Sequence, residues 1–204
     1  MKILKPVINN TTDTTLTLID EICYNKRYNN ELLKLNTKIE FNECIFNKVT
    51  LAFSKITNSY FIDVIFDECD LSNIDFSSST FHRVIFRRCK LVGTDFSKCT
   101  LENVEFIDTI LNYSNLSFLK FKDVLFKKCN LESSSLINSK LNKIYFDECN
   151  LANCEILNTK LKGIDFTNSN ICGIKVNMND LIGIIVNSFQ ALDLALLLGI
   201  IIKE

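Results

Sequence analysis

Residues 61–76 read Phe61-Ile62-Asp63-Val64-Ile65-Phe66-Asp67-Glu68-Cys69-Asp70-Leu71-Ser72-Asn73-Ile74-Asp75-Phe76, with a large apolar side chain at every fifth position. The spacing extends outward without a slip from Phe41 to Val186, through thirty consecutive sites of which 13 are Phe and 12 are Leu. A period of five suits neither an α-helix, which repeats about every 3.6 residues, nor a flat strand, which repeats about every 2. The chain must turn a corner every few residues.

Two residues before each apolar site stands a side chain that is nearly always small or β-branched, as at Cys44, Val49, Ser54, Ser59, Val64, Cys69, Ile74 and Ser79. If both positions point inward, the other three of every five point outward, and it is there that charges, Asn and Ser collect. This is the pattern of a solenoid, in which each turn of chain buries its core only when the next turn covers it.

The units Cys69-Asp70-Leu71-Ser72-Asn73, Ile74-Asp75-Phe76-Ser77-Ser78, Cys149-Asn150-Leu151-Ala152-Asn153 and Ile164-Asp165-Phe166-Thr167-Asn168 resemble the pentapeptide repeat proteins. The unit of that family is a small residue, Asp or Asn, Leu or Phe, and two variable residues, and the match covers roughly three quarters of the chain. The resemblance implies an all-β fold, a right-handed quadrilateral β-helix with four pentapeptides, hence twenty residues, per coil. The sequence supports that coil length by itself. At a spacing of twenty, Phe46, Phe66, Phe86, Phe106, Phe126, Phe146 and Phe166 form one column, and Leu51, Leu71, Leu91, Leu111, Leu131, Leu151 and Ile171 form the next. At about 4.8 Å per coil the rod is expected to be roughly 36 Å long.

Residues 1–38 do not fit the repeat and are expected to cap the first coil, with Leu16, Leu18, Ile19, Ile22, Leu32, Leu33 and Leu35 as the covering side chains. Residues 39–187 form the β-helix. Residues 188–204 form a terminal segment in which Ser188 reads as a helix N-cap, Phe189–Leu198 as a short α-helix and Gly199 as its stop signal. That helix is apolar nearly all round, so one side can cover the last coil while the other needs a second cover. Phe189, Leu192, Leu196, Leu198, Ile200 and Ile202 are therefore the candidate interface of a homodimer. Relatives of the Qnr type, the quinolone-resistance branch of the family, dimerise tail to tail through such a segment.

A formal net charge of −1 argues against a surface that binds nucleic acid directly. The apolar tail 194–202 is shorter than the about 20 residues a membrane helix needs, and no signal peptide is visible at the start. A cytoplasmic protein is expected. Of nine cysteines, those at 44, 69, 89, 99, 129, 149 and 154 fall on the small inward site, where their role is volume. Cys23 and Cys172 lie off it and are the two expected to react. His82 stands on an outward site with no acid or nucleophile grouped around it, and no metal, cofactor or catalytic motif is legible.

On the face of the Phe column, Asp67-Glu68, Arg87-Arg88, Asp108, Lys127-Lys128 and Asp147-Glu148 alternate in sign from coil to coil, which predicts a ladder of cross-strand ion pairs. Beside it run Ile45, Ile65, Ile85, Glu105, Leu125 and Tyr145, whose apolar members are a candidate partner surface. Another face collects Lys120, Lys122, Lys140, Lys143, Lys160 and Lys162. Two functional readings follow. The resemblance to Qnr-type members implies a rod that binds DNA gyrase or topoisomerase IV, by DNA mimicry or as an antibiotic or toxin immunity protein. The near-neutral surface and the absence of inserted loops depart from that pattern, and the alternative is a general protein–protein interaction scaffold with an unknown partner and no gyrase activity.

Overall fold

A computed structural model describes residues 3–15, 22–32, 35–197 and 199–201. Leu16, Leu18, Ile19, Leu33, Leu198 and Ile202, named above, lie outside these residues. The chain forms a β-solenoid of about eight coils with one short C-terminal helix.

Three short strands come first, Thr12–Asp13 (β1), Ile22–Tyr24 (β2) and Lys26–Asn29 (β3). Six eight-residue strands follow at intervals of twenty, Glu40–Asn47 (β4), Tyr60–Asp67 (β5), Thr80–Arg87 (β6), Thr100–Ile107 (β7), Lys120–Lys127 (β8) and Lys140–Asp147 (β9). All pair in parallel, and Phe46, Phe66, Phe86, Phe106, Phe126 and Phe146 are direct partners in successive coils. The other sides are held by single parallel bridges such as Thr50 to Asp70 to Lys90 and Lys55 to Asp75 to Asp95. Near the far end, Glu155–Ile156 (β10) pairs with Lys175–Val176 (β11).

The corners explain the period of five. From Glu43 to Gly163 every fifth residue has positive φ, and the non-glycine ones lie between 50° and 62°. Left-handed backbone costs an L-residue about 1–2 kcal/mol, so something must offset it at each corner. The corner amides do so by donating to the next coil, as Lys48 does to the Asp67 carbonyl, Phe53 to Ser72 and Asn58 to Ser77. The Asp or Asn of the repeat contributes too. Its side-chain oxygen accepts the N–H two residues on, at Asp70, Asp75, Asp95, Asn115, Asn130 and Asn150, closing an Asx turn.

The small inward residues do more than fill volume. Ser79, Thr94, Cys129, Ser139 and Thr159 each donate to the carbonyl of the large apolar residue 23 positions earlier, Ile56, Leu71, Phe106, Leu116 and Leu136. Small size with one donor is what the site selects, hence its Ser, Thr and Cys. The seven inward cysteines are buried, unbridged thiols. Burial pushes the Cys44 and Cys154 thiols up to about 11 and Cys99 to about 12, which leaves them unreactive.

At the start of the chain, short strands lie over the first regular coil. Cys23 pairs with Phe41 and Tyr28 with Phe46, so a coil two residues shorter than the rest is stacked on the first regular one. Tyr28 lies 4.9 Å from the Phe46 ring and extends the aromatic column. Cys23, expected to be reactive, is buried because it occupies the inward site under Phe41, and only Cys172 is exposed. At the other end the helix is Ser188–Leu197 (α1), with Asn187 rather than Ser188 as its cap. The Gln190 N–H donates to Asn187 Oδ1 and the Asn187 N–H to Gln190 Oε1, a reciprocal box that only this register allows. Gly199 closes the helix at φ 73°, with its N–H on the Leu196 carbonyl and that of Ile200 on Ala195.

Phe106 is fully buried between Phe86, 4.9 Å away, and Phe126, 4.6 Å away, with rings nearly parallel. Phe106→Ala should therefore lower unfolding stability by about 3–5 kcal/mol, measured by urea denaturation followed by circular dichroism. A loss under about 1 kcal/mol would mean that the column is not a continuous core.

Candidate interaction surfaces

Among the described residues no group of three or more His, Cys, Asp and Glu is placed to hold a metal, and no helix is long and apolar enough to cross a membrane. His82 is half-buried, packed beside Arg83, with Nδ1 3.9 Å from Glu102, which is itself held by Lys122 at 2.6 Å. What the rod offers is surface, and three parts of it stand out.

The first is the Phe-column face. Its charges pair as their alternation predicts except at Asp108, which makes no ion pair with a described residue. Arg87 and Arg88 both reach Asp67 at 2.6 Å, Lys127 reaches Asp147 at 2.8 Å, and Lys48 and Lys128 approach Glu68 and Glu148 at 3.6 and 3.8 Å. On the neighbouring stripe, Ile45, Ile65, Ile85 and Leu125 are half-buried, Glu105 is buried and only Tyr145 is exposed.

The reason Glu105 is buried is a feature the sequence reading missed. Residues 3–9 run lengthwise across this face as a strap. The Leu4 N–H donates to Asn103 Oδ1 at 3.1 Å, Lys5 Nζ to Glu105, the Val7 N–H to Asp63 Oδ1 at 2.9 Å, and Asn9 to Glu43. These partners lie 34 to 100 residues away in sequence and belong to three coils, those of β4, β5 and β7. Asp63, Asn103 and Glu105 are only 4 to 6% exposed, whereas Lys143, Tyr145 and Asp165, in the same columns beyond the strap, are exposed. The signal was present in the sequence as a lone Glu105 within an Ile stripe, but nothing local pointed to Lys5.

Asp63 is the strap's best-defined anchor. Burial alone would raise its pKa, yet a bidentate pair with Arg83 at 2.5 and 2.6 Å and the Val7 N–H outweigh that and hold it below the ordinary aspartate value. Beside Ile3 the face forms a groove of about 620 Å³ lined by Ile3, Lys5, Glu105, Leu125, Tyr145 and Asp165 among others.

The second surface is the C-terminal end. Gln190 and Leu194 are the buried residues of α1, and the Gln190 side-chain amide donates to the Phe166 and Ser169 carbonyls of the last coils. Phe189 is 80% exposed, Leu196 60%, and Leu192 and Ile200 about half. The exposed Leu197, Ile201, Ile182 and Met178 join them. The third surface is the lysine face. There Lys122 and Lys143 pair with Glu102 and Asp123, while Lys120, Lys140, Lys160 and Lys162 make no ion pair with a described residue.

Residues 59–136 match the family model described as a pentapeptide repeat region, and residues 129–168 match pentapeptide repeats in eight copies, together more than half of the chain. The chain belongs to the pentapeptide repeat family. The four-cornered coil and twenty-residue register described above are the geometry of that repeat. Similar solved structures include full-length QnrB1, a plasmid-mediated fluoroquinolone resistance protein, at 18% identity over 92% of this chain and 95% of that one, with a TM-score of 0.40. Another is HetL, a pentapeptide repeat protein involved in heterocyst differentiation regulation from the cyanobacterium Nostoc sp., at 15% identity over 76% and 84%, with a TM-score of 0.42. Comparison with curated proteins finds no match. Membership of the pentapeptide repeat family rests on the repeat itself.

Because the folded Asp63 is more acidic than an unfolded aspartate, its contribution to holding the strap is complete above the ordinary value of about 3.9 and is lost as pH falls through the lower folded one. The amide NMR signal of Val7 should therefore stay fixed from pH 8 to 5 and move only below about pH 4. A shift between pH 7 and 5 would show that another group holds the strap.

Proposed function

We propose that this pentapeptide repeat protein is a non-catalytic, cytoplasmic protein-binding rod that pairs with a second copy of itself through its C-terminal end. The observation that carries the reading is the division of labour on α1. Gln190 and Leu194 suffice to close the last coil, and Phe189, Leu192, Leu196 and Ile200 are left facing water. An apolar surface of this kind on a rod end is the usual mark of a protein interface. Burying three or four such side chains is worth on the order of 5–10 kcal/mol before association costs, enough for a stable pair.

Light scattering at micromolar concentration should give twice the 23.4 kDa chain mass. Leu196→Glu should convert that dimer to a folded monomer with its melting temperature nearly unchanged, since Leu196 covers no coil. A native mass near 23.4 kDa would end the reading.

The Qnr-type resemblance extends the proposal to DNA gyrase or topoisomerase IV as the protein bound. The surface supports only a weak effect there. A DNA mimic needs an unbroken row of anions, and here Asp67 and Asp147 are neutralised by Arg87, Arg88 and Lys127 while four lysines on another face make no ion pair with a described residue. Supercoiling by purified gyrase under a fluoroquinolone should be little changed by the protein. Strong protection at low protein concentration would instead establish topoisomerase binding. Without it, the rod is a scaffold for another partner, with Ile45, Ile65, Ile85, Leu125 and Tyr145 as the second candidate contact.

A further inference from the structure

The strap is attached differently from the rest of the chain. None of residues 3–11 is buried in the core, and the four anchors described above are all side chains of the solenoid, not a backbone ladder. Beneath it lie buried polar groups, of which Asp63 is also paired with Arg83 one coil on while Asn103 and Glu105 bond to the strap. Asp63 Oδ1 accepts the Val7 N–H in addition to its bond from Arg83, and Asn103 Oδ1 accepts the Leu4 N–H one anchor further on. Glu105, buried, has Lys5 as its cation.

The spacing of these anchors fits a particular kind of chain. The Leu4 and Val7 amides are three residues apart and meet coils two apart, Asn103 and Asp63. Two coil rises make about 9.6 Å, and a polyproline II chain brings every third residue back to the same side after about 9.3 Å. Pro6 sits between the two amides, where its missing N–H is not needed and its fixed φ favours that conformation. Beside Ile3 the face holds the groove lined by Leu125, exposed Tyr145 and Asp165, an aromatic and acidic continuation of the same track.

We propose that this track, from Glu43 through Asp63, Asn103 and Glu105 to Tyr145, is a binding site for an extended, proline-containing basic peptide of a partner protein, and that residues 3–9 fill its Glu43-to-Glu105 part in cis as an autoinhibitory strap. The inference rests on the reading of the rod as a protein-binding surface and names the partner class and its gate. A partner segment with Lys before Pro would displace the strap, place its ammonium on Glu105 and its following amide on Asp63, and continue over Tyr145. Recognition of polyproline II segments beside aromatic side chains is a known solution to peptide binding. Here the coil rise sets the ruler.

The test uses the full chain and a fluorescein-labelled peptide with the sequence of residues 2–11, read by fluorescence anisotropy. The Lys5→Glu protein, whose strap is repelled by Glu105, should bind the peptide at least tenfold more tightly than the unaltered protein does. Adding Glu105→Ala to Lys5→Glu should abolish that gain, and a peptide carrying Pro6→Gly should bind at least fivefold more weakly. Equal affinities of the unaltered and Lys5→Glu proteins, or indifference to Glu105 and Pro6, would overturn the proposal. Hydrogen exchange on the unaltered protein is a second readout independent of any variant. The Leu4 and Val7 amides should exchange at least a hundredfold faster than those of Val64 and Val84, and equally slow exchange would mean that the strap never leaves. Failure of these tests with the dimer intact removes the peptide track and leaves the protein-binding rod standing.

Discussion

The corner is the constraint on which this molecule depends. Each fifth residue takes a left-handed backbone that most L-residues resist, and it is stable only because its amide has a carbonyl of the next coil to donate to. No coil therefore satisfies itself. Backbone polar groups, aromatic rings and small inward donors all look one coil up or down, which makes the rod a one-dimensional stack in which stability is a sum of neighbour contacts. The side-chain ladders follow the same rule, as with Asn130, Asn150 and Asn170, joined amide to carbonyl at 3.0 and 2.9 Å.

Such a stack fills its interior with its own side chains, so function moves to the faces and ends. The two ends meet the problem differently. At the start, a shortened coil places Tyr28 on Phe46 and Cys23 under Phe41, continuing the stack with fewer residues. At the finish, α1 lays Leu194 and Gln190 over the last coil, with the Gln190 amide taking carbonyls that a further coil would have paired. The helix is thus a polar plug as much as an apolar lid, and that frees its other residues for a partner.

The strap is the one described element that ignores the neighbour rule. It ties Glu43 to Glu105 along the rod axis, coupling coils that otherwise communicate only in sequence. It also converts a flat face into a partly covered track, and of the buried carboxylates beneath it Asp63 is paired with Arg83 one coil on while Glu105 takes its cation from the strap. Such groups are costly to bury without partners, which is why their pairing with a detachable segment bears on function.

The sequence by itself determined the coil. The period of five, the unmixed Phe and Leu columns at a spacing of twenty, and the alternating charges of Asp67, Arg87, Lys127 and Asp147 are all relations between residues one coil apart, and a strict repeat writes such relations into the chain. Wherever the repeat lapses, that legibility ends. The short first coil hid Cys23 and Tyr28 because its register is two residues out of step, and the helix cap fell to Asn187 because Gln190 three residues later, not local propensity, fixed the register. Only the tertiary structure brought Lys5 to Glu105 and Val7 to Asp63. Those contacts join a segment without a repeat to positions that the repeat leaves variable, and no periodicity can encode a contact that occurs once.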